Sequence, residues 1–85
     1  MSNHATDFAG NIPDAIKNAI LEKIPDGTIT VGGGGGHFTI EVTSPVFAGK
    51  SKVESQRLVY SAIAHLMKGD LAPVHAVDSL VTKVP

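Results

Sequence analysis

Few side chains in this sequence are able to do chemistry. There are four histidines, His4, His37, His65 and His75, and no cysteine. Without a thiol there is no cysteine nucleophile, no disulfide and no all-thiolate metal site. What remains for ligating a metal is imidazole nitrogen, with oxygen as the weaker donor. Serine, histidine and acidic residues are all present, but no spacing gathers them into a nucleophile and base, and no H-E-x-x-H occurs. His37 follows five consecutive glycines, Gly32–Gly36, and heads the alternating stretch "HFTIEV". His75 stands between Val74 and Ala76. Those neighbours alone suit a hydrogen-bonded strand residue, with metal ligation as the sharper alternative. His65, between Ala64 and Leu66, reads as a surface or edge residue, and His4 belongs to the N-terminal tail.

The glycine run invites a phosphate-binding reading, which fails on spacing. A dinucleotide fingerprint needs G-x-G-x-x-G opening a helix. Counted from Gly32, its third glycine falls on His37, and a strand pattern follows. "GKS" at Gly49–Ser51 has the ending of a P-loop, but the partner glycine five residues earlier is Ser44. Two readings of Gly32–Gly36 stay open: a plain hairpin connection, or an adaptable rim that admits a bulky group without side-chain clashes.

The elements that must position these residues follow from composition and pattern. An 85-residue chain, 42% hydrophobic, makes one small domain whose core is mostly aliphatic, since the large aromatics are only Phe8, Phe38, Phe47 and Tyr60. The formal net charge of −1 offers no general attraction to nucleic acid. No apolar run approaches the roughly 20 residues of a membrane helix. "MSNHATDFAGN" has no basic region leading into an apolar one, so residues 1–11 are expected to form a flexible tail rather than a secretory signal.

Pro13 and Asp14 suit a first helical turn. Ala15, Ile16, Ala19, Ile20 and Ile24 recur at helical spacing, and "PDG" at Pro25–Gly27 ends the run. Thr28–Val31 reads as a strand. Phe38, Ile40 and Val42, alternating with Thr39, Glu41 and Thr43, form a second, antiparallel to the first across the glycines. "SP" at Ser44–Pro45 closes it. Ser51 and Glu54 fit a capping box ahead of a helix with Val59, Ala62, Ile63, Leu66 and Met67 on one stripe, Leu58 beside it and Gly69 as its cap. Val74–Val81 is the third strand, expected parallel to the second after a right-handed crossover. The expectation is a three-stranded mixed sheet with helices on one face. Phe38, Ile40, Val42, Ile16, Ile20, Val59, Ile63, Leu66 and Val77 are its expected core.

Taken together, His37-Phe38, Ser44, Phe47 and Gly49, then Val53, Arg57, Val59 and Tyr60, then Val74-His75-Ala76 closely resemble the BolA-like family, over roughly residues 12–85. "SQR" at Ser55–Arg57, where many members carry "RHR", and the ending "HAVDSLVTKVP" are similar to the IbaG and plastid-type branches. The resemblance implies a type II KH-like α+β fold, α-β-β-α-(α)-β, with an extra short helix near Ala48–Lys52. It implies a non-enzymatic adaptor that pairs with a monothiol, CGFS-type glutaredoxin. The pair shares a [2Fe–2S] cluster, with glutathione, in iron–sulfur trafficking or iron regulation.

In the family the histidine of V-H-A is a cluster ligand, which carries onto His75. A second ligand, cysteine or histidine, comes from the loop between the first two strands and carries onto His37, with Gly32, Gly33, Gly34, Gly35 and Gly36 as the adaptable loop beside it. No cluster is expected on the isolated chain. Imidazole is a known substitute for thiolate on one iron of a [2Fe–2S] centre. The alternative function, described for some bacterial members, is a DNA-binding regulator of stress response and morphology. Lys50, Lys52 and Arg57 are the candidate surface for either kind of partner, with ordinary solvation as the plainer reading of these charges. "FAGKSK" lacks the G-x-x-G by which KH domains clamp RNA. The expected compartment is the cytoplasm, with a mitochondrion or plastid-type organelle as the alternative.

Overall fold

The structure is a computed structural model that describes residues 11–85. His4, Phe8 and the tail expected over residues 1–11 lie outside the described residues, save for Asn11, which flanks the first helix.

That helix, α1, spans Ile12–Lys23, with Pro13 and Asp14 in its first turn and Lys23 in its last. Both charges complement the helix dipole. Ile16, Ala19 and Ile20 are buried, and Ile24 closes the helix by donating its N–H to the Ile20 carbonyl at 2.8 Å. The turn at Pro25–Gly27 then sends the chain into β1, Thr28–Gly34, which pairs antiparallel with β2, His37–Thr43.

The glycine run divides differently from the expected five-residue loop. Gly32, Gly33 and Gly34 continue β1 and pair with Thr39, Phe38 and His37. Ladder bonds come from the backbone, so a partner strand as regular as β2 carries the pairing through residues that have no side chain to signal it. The connection shrinks to Gly35–Gly36, both at positive φ (64° and 87°) as a type I′ hairpin turn requires.

After β2 a single 3-10 turn forms at Pro45–Phe47, earlier than the short helix expected near Ala48–Lys52. Ser44 fixes it there: the buried hydroxyl accepts from the Val46 N–H at 3.1 Å and donates to Asp26 Oδ1 at 2.8 Å. Helix α2, Lys52–Ile63, opens with the expected capping box. Ser51 Oγ accepts from the Glu54 N–H at 3.1 Å, and Glu54 Oε1 accepts from the Ser51 N–H at 2.9 Å.

The helix stops earlier than Gly69. A 3-10 turn at Ala64–Leu66 ends it, because the Leu66 carbonyl accepts from the Val74 N–H at 3.1 Å, a bond to the returning chain. Gly69 (φ 85°) lies in the turn that follows. The last strand, β3, runs from Ala76 to Lys83 rather than from Val74 to Val81, and pairs parallel with β2, giving the sheet order β1-β2-β3. Val74 is instead a fully buried residue just ahead of the strand.

Phe38, Ile40 and Val42 face the helices and pack with Ile16, Ile20, Ile24, Val59, Ile63 and Leu66. Of the expected core only Val77 is partly buried, while Leu80, further along β3, is buried. Thr39 is exposed and Glu41 half-buried on the opposite, uncovered face of the sheet.

Two predictions follow from these contacts. Ser44→Ala leaves the Val46 N–H without its acceptor and should cost about 1–3 kcal/mol in urea denaturation; an unchanged midpoint would show the Ser44 contacts to be inert. The Glu54 carboxyl is held below its usual range by the hydrogen bond from the Ser51 backbone, then by the Ser51 side chain, partly opposed by desolvation and aided by Lys50. The folded state therefore binds its proton less readily than the unfolded chain. This stabilisation is complete above the ordinary carboxylate range and disappears as pH falls through the lowered value. Thermal unfolding should show a Tm advantage of wild type over Glu54→Gln near neutrality that closes in acid.

Candidate functional site

Both expected ligands lie at one end of the sheet. His37 is the first residue of β2, on the face away from the core, and its side chain is 60% exposed. Its backbone partner across the parallel pairing is Ala76, the residue after His75. The hairpin turn ties the two together. The Gly36 carbonyl accepts from the His75 N–H at 2.8 Å and from the Ala76 N–H at 3.0 Å. His75 is exposed and lies directly against Gly36. A Cβ at Gly36 would collide with His75 Cδ2 and stand 3.0 Å from its Cγ. The missing side chain at Gly36 is thus what leaves room for the His75 ring, while around Gly34 and Gly35 the space is open.

His37 Nδ1 lies 3.2 Å from Asp78 Oδ1. Asp78 escaped the sequence reading. The signal for it was the polar pair Asp78-Ser79 between Val77 and Leu80, which breaks the period-two alternation of a strand. The pairing shifts there: Phe38 faces Val77 but Thr39 faces Ser79, so Asp78 is an unpaired bulge residue.

His65 is exposed on the 3-10 turn Ala64–Leu66 and does not join the other two histidines. Among the described residues no group of three or more histidines or carboxylates is gathered closely enough to hold a metal ion. The donor set is therefore two accessible imidazoles. A metal centre bound here needs further ligands from another molecule, and a [2Fe–2S] cluster with thiolates on its other side fits that requirement.

Lys50 and Lys52 are not part of this end. They border a groove of about 360 Å³ with Phe47, Leu80 and Val84. That groove lies toward the far end of β3, on the order of 20 Å of strand from Ala76 at about 3.3 Å per residue. Arg57 is exposed on α2 and does not line the groove. It sits roughly 140° around the helix axis from Lys52. No helix among the described residues is long and apolar enough to cross a membrane.

Comparison with solved structures finds the same architecture repeatedly. A BolA protein homologue from Coxiella burnetii is 33% identical, with 85% of this chain and 88% of that one covered and a TM-score of 0.70. The BolA domain of SufE1 from Arabidopsis thaliana is 25% identical, covering 89% and 94%, with a TM-score of 0.73. BolA1 from the same plant is 22% identical, covering 88% and 93%, also at 0.73, and attests to the fold. A comparison with curated proteins finds no match. The sequence model of the BolA-like proteins matches residues 16–85, from the first buried isoleucine of α1 to the C-terminal proline. That span takes in most of α1, all of α2, the mixed sheet and both His37 and His75, and this chain belongs to the BolA-like family.

Proposed function

We propose that the protein is a non-enzymatic adaptor that joins a monothiol, CGFS-type glutaredoxin and helps hold or pass on a [2Fe–2S] cluster. One observation carries the reading. His37 and His75, both exposed, are brought to one end of the sheet beside a glycine turn with no side chains, in a protein without a single thiol. Such a chain can supply nitrogen to one side of a cluster and must receive sulfur ligands from elsewhere. The glutaredoxin cysteine and its glutathione are ligands of that kind.

Each histidine has its own mechanical setting. His75 is held at the backbone by its bond to Gly36, just ahead of β3. His37 is the first residue of β2, immediately after the hairpin turn. The open space around Gly34 and Gly35 lets a partner surface approach the two rings closely. The cluster is cargo for the pair of proteins, and the role of this chain is to present imidazole and to shape the rim.

The test is the mixed complex, formed by co-expression with a monothiol glutaredoxin and followed by iron and sulfide analysis and visible absorption. His75→Ala should leave the fold intact, change the visible spectrum and shorten the cluster lifetime by about tenfold or more. His37→Ala should act in the same direction but less, because a ligand beside the turn is more readily replaced by water or glutathione. His65→Ala should have no effect. An unchanged spectrum and lifetime in His75→Ala would overturn the reading.

A further inference from the structure

We propose that Asp78 is a positioning residue for His37: its carboxylate holds the proton on Nδ1 and so presents Nε2 as the metal-binding nitrogen. The inference rests on the adaptor reading above and adds to it which nitrogen is used and what selects it. The contact is specific in its atoms, since Oδ1 of Asp78 meets Nδ1 of His37 at 3.2 Å. An ionised carboxylate only accepts hydrogen bonds, so the imidazole must donate through that nitrogen. In a neutral imidazole the hydrogen bond at one ring nitrogen determines which nitrogen is left free to ligate.

The backbone supports the same assignment. A regular parallel register would continue from Phe38 opposite Val77 to Thr39 opposite Asp78. Instead Ser79 faces Thr39, and Asp78 is the extra residue. A bulge re-aims the side chain it carries. Here it does so next to His37 and at the same time keeps Leu80 opposite Ile40, where both are buried. Burial of Leu80 alone explains why a bulge exists. It does not explain why the extra residue is a carboxylate aimed at a candidate ligand 41 positions earlier in the chain. Packing does not force the contact either, because the two side chains are 60% and 55% exposed. The effect of losing it should therefore be at or below the lower end of the range for groups that orient metal ligands, and no larger than the effect of losing His37.

Two measurements decide the matter. The first uses the isolated protein, labelled with ¹⁵N-histidine, at a pH where the rings are neutral. Imidazole ¹H–¹⁵N correlations should show His37 protonated at Nδ1, and Asp78→Ala should shift it toward the Nε2–H form. A wild-type His37 protonated at Nε2, or a tautomer unchanged by Asp78→Ala, overturns the proposal whatever the cluster does. The second uses the complex with a monothiol glutaredoxin. Asp78→Ala should shorten the cluster lifetime, by no more than His37→Ala does, since its effect passes through that ring. For the same reason it should add nothing in a His37→Ala background. Full additivity of the two substitutions would also overturn it. A wild-type complex that holds no cluster would instead overturn the adaptor reading and the ligand role of Nε2, while the tautomer would still decide whether Asp78 controls His37.

Discussion

The carbonyl of Gly36 accepts two backbone hydrogen bonds, from His75 and Ala76, and much of the site depends on that junction. It joins the tip of the β1–β2 hairpin to the head of β3, a long-range closure made after α2 has carried the chain back across the sheet. It sets the parallel register in which Ala76 faces His37. It also presses the His75 ring against a residue that cannot have a side chain without moving the ring. The turn glycines answer to geometry twice over. Gly35 and Gly36 meet the positive φ of a two-residue hairpin, and Gly36 also meets the close approach of an imidazole.

On the proposed reading, the chemistry at that junction divides between this chain and a partner. A domain of this size with helices on one face of the sheet leaves the other face and the turn end open. Two imidazoles at such an end are accessible but insufficient for a metal ion by themselves. Incompleteness suits the adaptor role proposed above, in which each partner would supply only some of the ligands. The lysine groove at the opposite end of β3 is spatially independent of this arrangement.

Side-chain pattern made some of this legible and backbone closure kept the rest hidden. The apolar face of α1, the capping box at Ser51 and Glu54 and the alternation of β2 are local, and each stands where its residues indicate. His37 and His75 could be brought to the same end because a parallel β3 beside β2 requires it. The extension of β1 through Gly34 was hidden because glycine shows no alternation. The early end of α2 depends on the Leu66–Val74 bond, between residues whose apolar character fits a longer helix and a longer strand equally well. Asp78 was missed for a related reason: a bulge is visible in sequence only as a broken period, and Val77-Asp78-Ser79-Leu80 is a short break.

The central claim is that nitrogen from this chain is bonded to iron, and pulsed electron paramagnetic resonance tests it most directly. The mixed complex would be prepared with ¹⁵N-histidine in this chain only and the cluster reduced by one electron. The account predicts ¹⁵N couplings of the strength of directly bound imidazole, diminished in His75→Ala. A reduced cluster whose spectrum shows no such coupling from the labelled chain would mean that the glutaredoxin and glutathione ligate it alone, contradicting the account.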